Sequence, residues 1–264
     1  MATWAVCVLG PVGAGATVVA LAALLRARLD RHASIPVPRR AVQCLMQSAR
    51  RLLRTIVPDP VACTAARLYA AHDTWVECHG PPGTCVYGGE EVATWTSLQE
   101  TSSDLGLVLN CGLDGATTIE MRRYLSDLVL RHAPDQVVLS VGAGDWDAAW
   151  CHPDVSTTLA HATALVSECY TFGLRDIRLL VAAVPPGRDP DYGEFMTAVA
   201  DGLQRLDTSC WPGISLDVWD ARAATATDVA RLGTSAYLAD GLRLSLYGQQ
   251  VMNTFLRVLL RGQP

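Results

Sequence analysis

The order of apolar and polar positions divides the chain into an N-terminal arm and an alternating body. The arm opens with residues 2–25, ATWAVCVLGPVGAGATVVALAALL, which carry no charged side chain. As a helix this run would span about 36 Å at ~1.5 Å per residue, enough for a hydrocarbon core of ~30 Å. Gly10, Gly13 and Gly15 would weaken a helix in water but suit close helix packing in a membrane. Residues 33–40 form a Pro-broken linker. Over 41–57, Val42, Leu45, Met46, Ala49, Leu52, Leu53 and Ile56 make an apolar stripe opposite Arg50, Arg51 and Arg54. That spacing predicts an amphipathic helix, either packed on the body or lying along a membrane interface. The body then shows five apolar runs, at 66–71, 105–111, 136–142, 176–184 and 214–221, read as strands. Helical periods fall at 117–132, 155–173, 191–208 and 246–261. Strands apolar on both faces and alternating with helices predict an α/β fold, a parallel sheet covered on two sides.

Two other readings compete for residues 2–25. A cleaved leader normally has a basic start and a shorter apolar stretch, and this run has neither. A phosphate loop is suggested by Gly10 to Thr17, but Ala16 stands where the lysine belongs. Too few residues precede the body to build a nucleotide-binding domain there. The expected organisation is therefore a transmembrane helix with its basic flank at 1–31, a linker and amphipathic helix at 32–64, and an α/β domain at 65–264. A helix buried in an assembly is the alternative for the first segment.

Charge sharpens this division. Residues 1–57 hold eight arginines against one acid, Asp30, a net +7, and the remainder of the chain carries −12 of the total −5. An acidic body argues against nucleic-acid binding, and a basic arm suits membrane lipids or an acidic partner. Arginines flank only the C-terminal side of the apolar run, so the body is expected on the cytoplasmic or matrix side. The chain has no lysine, which removes lysine-dependent chemistry. Its nine cysteines lack CxxC pairing and read as thiols of a reducing compartment. Cys78-His79 and Cys151-His152 are isolated pairs, so neither a metal nor another cofactor is expected.

In open parallel sheets chemistry gathers at the carboxyl ends of the strands. There the turns read Ala71-His72-Asp73-Thr74, Asn110-Cys111-Gly112-Leu113-Asp114-Gly115-Ala116-Thr117-Thr118, Val141-Gly142-Ala143-Gly144-Asp145, and, before the last helix, Asp240 to Gly248. In order and spacing these resemble the four signature blocks of the SGNH/GDSL hydrolases, especially platelet-activating-factor acetylhydrolase catalytic subunits. Those blocks are GDS after the first strand, N-x-G-x-x-G-x-T-T after the second, G-T-N-D after the third, and D-x-x-H-L-x-x-x-G before the last helix. The resemblance covers about 65–261. It implies a flavodoxin-like three-layer fold with a five-stranded parallel sheet in the order 2-1-3-4-5.

The resemblance also assigns roles. Thr74 takes the nucleophile's place, Gly112 that of the glycine oxyanion donor, Gly144 that of the asparagine donor, Asp240 that of the orienting acid and Arg243 that of the histidine base. Arg stays protonated and cannot accept a hydroxyl proton. Gly144 offers no side-chain donor, and losing one such donor costs ~10²–10³ in rate. His72 is the remaining candidate base for Thr74. The expected function is a catalytically inactive accessory subunit of a membrane complex, with a mitochondrial inner-membrane respiratory-chain or ATP-synthase complex favoured by the Arg-rich arm. The alternatives are a membrane-anchored esterase or acyltransferase using Thr74, and a lipid-binding module. Trp146, Trp150, Trp211 and Trp219 read as core or interface.

Overall fold

Four consecutive buried residues, Thr84–Tyr87, form the inner strand β1, which is paired with a strand on either side. The computed structural model describes residues 59–101, 106–148, 154–182, 184–185, 188, 190–222, 236–238 and 244–261. The chain divides into compact units Met1–Cys63 and Thr64–Pro264. Of the first unit only residues 59–63 are described. There the Asp59 carboxylate accepts from the Val61 amide at 3.0 Å and its carbonyl from the Cys63 amide at 3.0 Å, so Asp59 caps a helix that begins at Pro60. The membrane helix expected over 2–25 and the amphipathic helix over 41–57 lie outside the described residues. Among the described residues no helix is long and apolar enough to cross a membrane.

β2 (Val108–Asn110), β3 (Gln136–Ser140), β4 (Asp176–Val181) and β5 (Ser215–Asp220) complete a parallel sheet ordered β2-β1-β3-β4-β5. The 2-1-3-4-5 order is therefore the observed one. The segment read as the first strand is not: residues 66–71 lie inside α1 (Pro60–His79). Four alanines and no β-branched residue between Ala65 and Ala71 favour helix, and Ala65, Leu68 and His72 turn inward at helical spacing. The true β1 has only four residues, too few to show a period, and is marked by Pro81-Pro82-Gly83 before it and Gly88-Gly89 after it.

The remaining helices are α2 (Glu90–Ala93), α3 (Thr118–Leu128), α4 (Ala143–Ala148), α5 (Val155–Phe172), α6 (Pro190–Gln204) and α7 (Leu246–Arg261). Strand residues alternate between two cores because successive side chains point to opposite faces. Val86, Val108, Val138 and Leu180 meet Val92, Trp95 and Leu98 together with Met252 and Leu256 of α7. On the other face the Tyr87 hydroxyl donates to the Met121 carbonyl of α3 at 2.7 Å, and Arg122 of α3 pairs with Glu168 of α5. Helices thus cover both faces. The tryptophans do not form one box: Trp146 packs on Tyr192 and Phe195, Trp219 on Phe255, and Trp211 is buried separately, while Trp150 lies outside the described residues.

Candidate functional site

At the carboxyl end of the sheet the turn leaving β1 is Gly88-Gly89-Glu90, and it enters α2 at once. Gly89 is the N-cap residue, its carbonyl accepting from the Val92 and Ala93 amides at 3.2 and 3.0 Å. Glu90 is exposed. Glu91 folds back instead: its Oε1 accepts from the Gly89 amide at 3.1 Å and from the Ser140 hydroxyl, at the end of β3, at 2.8 Å. A side chain at Gly88 would collide with Val92 and Ser140, so that glycine is required by close approach.

Thr74 does not take part in this turn. It lies on α1, exposed, its hydroxyl donating to the Ala70 carbonyl at 3.2 Å. His72, two residues earlier, points to the opposite side of the helix, because positions two apart do not share a face. Its Nε2 lies 3.1 Å from the Asn110 carbonyl oxygen, and its ring contacts His132 edge-on. Burial first, then the neighbouring His132, push its pKa down to about 4. The two residues therefore cannot act as nucleophile and base. The reason is local: placing Thr74 at a strand end assumed that 66–71 was extended.

The second block is built as a brace. Asn110 donates through Nδ2 to the Val92 and Trp95 carbonyls at 2.9 and 3.1 Å, and its Oδ1 accepts from the Gly112 amide at 2.8 Å. The amide assigned to an oxyanion thus bonds within its own turn. A Cβ on Gly112 would run into the backbone of Val92 and Ala93, which is why α2 can lie directly against this loop. Thr117 begins α3 with a capping box, its hydroxyl accepting from the Glu120 amide and Glu120 accepting from the Thr117 amide.

The third block closes on the second. A Cβ on Gly144 would fall well under 3.0 Å from the Ala116 carbonyl oxygen, and one on Gly89 would lie 3.1 Å from the same oxygen. The Ala116 carbonyl therefore sits between the first and third turns. Asp145 bonds the Thr118 amide and hydroxyl; burial raises its pKa, opposed by those bonds. Asp240 and Arg243 lie outside the described residues. Beside them, Leu244 bridges Tyr237, and the Ser245 hydroxyl accepts from the Gly248 amide at 3.1 Å to start α7. Of the five predicted positions, then, the structure brings Gly112 and Gly144 to the sheet end and excludes Thr74. Gly88, Gly89, Glu90, Glu91 and Ser140 were not anticipated there; the Gly-Gly pair behind a short apolar run was the available signal.

No protein-family model matches the sequence, and no curated protein matches it. Solved structures do share the fold. A lipase/acylhydrolase from Enterococcus faecalis is 20% identical with a TM-score of 0.52, over 67% of this chain and 93% of that one. A Streptococcus pneumonia protein whose name refers to platelet activating factor is 17% identical with a TM-score of 0.60, over 85% and 100%. An acetylxylan esterase from Geobacillus stearothermophilus is 16% identical with a TM-score of 0.51, over 66% and 93%. The fold is SGNH/GDSL-hydrolase-like.

Proposed function

We propose that this SGNH-hydrolase-like domain has lost ester hydrolysis and acts as an accessory subunit, contributing surface to a membrane complex. The supporting observation is the Ala116 carbonyl held between Gly89 and Gly144. With GDS following the first strand of the family, the corresponding residues here become Gly88-Gly89-Glu90, which places a carboxylate where the serine would stand. A carbonyl oxygen between Gly89 and Gly144 repels, and does not stabilise, the negative charge that builds on an acyl oxygen. The position corresponding to the base is Arg243, which holds its proton at any working pH. The charge division supports the second half of the reading: an Arg-rich arm behind an uncharged run of membrane-spanning length suits an anchor, with the mitochondrial inner membrane the favoured location.

The names of the similar structures favour an esterase as the second reading. One assay separates the two. Purified protein is expected to hydrolyse p-nitrophenyl acetate no faster than a Glu90→Ala variant and to resist labelling by a fluorophosphonate. Turnover well above that variant would give the esterase reading the lead. Recovery of the chain in mild detergent with a fixed set of subunits supports the accessory role; recovery as a lone monomer would remove it.

A further inference from the structure

Glu91 does one thing that an ordinary helix-terminal acid does not. Its carboxylate is received by groups from two different strand ends, the Gly89 amide after β1 and the Ser140 hydroxyl on β3. Both receiving residues are buried, Ser140 to 1% exposure. Such donors are costly to bury without an acceptor, so this end of the sheet has an acceptor position that must be filled. We infer that Glu91 serves as a tethered carboxylate ligand, which occupies this position and closes the sheet end to carboxylates from solution.

The chemistry of the occupant follows from the side chain itself. Glu91→Ala leaves the Cβ and removes one methylene and the carboxylate, the same heavy atoms as acetate. The vacated space therefore fits acetate, with formate smaller than the gap and larger carboxylates limited by the Val92 and Ala116 walls that crowd Gly88 and Gly89. Glu91→Gln keeps a carbonyl oxygen for both donors and stays closed. The inference concerns the same end of the sheet as the proposed function and rests on the reading that no substrate occupies it. Its readout is binding, so it fails separately from the esterase assay.

The experiment is thermal unfolding of wild type, Glu91→Ala, Glu91→Gln and Glu91→Ala/Ser140→Ala at pH 7, in sodium acetate against sodium chloride of equal ionic strength. In ~0.1 M acetate the Glu91→Ala midpoint should rise by about 3 °C relative to chloride, with a smaller rise in the double variant and none in wild type or Glu91→Gln. If Glu91→Ala is unfolded in chloride, the reading becomes whether acetate restores its folded fraction. Equal behaviour of Glu91→Ala in acetate and chloride, by midpoint or by folded fraction, overturns the inference. So does an acetate response of the same size in wild type.

Discussion

Helices α1 and α7 flank the same sheet and are held to it by different physics. α7 buries Met252 and Leu256 in the core shared with Val86, Val138 and Leu180, and it adds a buried polar clamp. Asn253 accepts from the Trp95 indole at 2.7 Å, and Gln249 accepts from the Ser97 amide at 3.0 Å and donates to the Thr94 carbonyl at 3.1 Å. The clamp ties the last helix to the segment that follows α2, and so to the turn after β1. Over Thr64–His79, α1 fully buries only Ala65 and His72, with Leu68, Trp75 and Val76 half-buried. It is anchored at its flank through Arg131, which pairs with Asp73 at 2.8 Å, donates to the Tyr69 carbonyl at 2.9 Å and lies over the Tyr69 ring. Apolar burial is worth far more per residue than a solvated ion pair, so α7 is a structural member of the domain and α1 a lighter attachment.

Substitutions can break this contrast. The largest effect is expected at Leu256, fully buried on α7: Leu256→Ala should cost about 3 kcal/mol, against ~1 kcal/mol for Leu68→Ala on α1, measured by urea unfolding. Similar costs at both positions would mean that α1 is as firmly integrated as α7.

Acid should act on α1 before it acts on α7. His72 has a folded-state pKa near 4, below its unfolded value of ~6.5, so between these the unfolded chain binds the extra proton. Stability from the neutral buried ring is present above about pH 6.5 and is lost as pH falls toward 4, on the order of 2 kcal/mol over the window. His132, also lowered by burial and by Arg131, adds to the slope in the same direction. Unfolding free energies measured across pH 4–7 should fall less steeply in His72→Gln than in wild type; equal slopes would remove His72 as the cause. The smallest effect is at Asp73, whose side chain is 52% exposed: Asp73→Ala should change stability by under about 0.5 kcal/mol and become silent in high salt.

The same contrast explains which elements could be read from sequence. The residues 246–261 assigned to the last helix are the helix observed, because Met252, Leu256 and Leu260 repeat along one face. The second and third blocks were also readable: Thr117 with Glu120 is a capping box by spacing alone, and Gly112 and Gly144 occupy turns at the ends of β2 and β3. The first block was not. Residues 66–71 are as apolar as a buried strand, and the Thr84–Tyr87 strand is too short to outweigh them, so the nucleophile's place was assigned to Thr74 on a helix. On the proposed correspondence the family's serine falls at position 90, and an asparagine at 144 would collide with the Ala116 carbonyl, so residue swaps alone would not rebuild an oxyanion site.

Composition, periodicity and the order of glycine-bearing turns determined by themselves that the body is a parallel α/β domain with an acidic charge behind a basic arm. Those properties are additive along the chain and survive an error in any one segment. Tertiary structure alone decided which four residues form β1, that Glu91 answers Ser140 across 49 positions, and that the Ala116 carbonyl fills the space between two glycines. Each depends on segments distant in sequence approaching within contact distance. Such an approach is set by the packing of the whole sheet, since no local pattern encodes which backbone oxygen will meet which missing side chain.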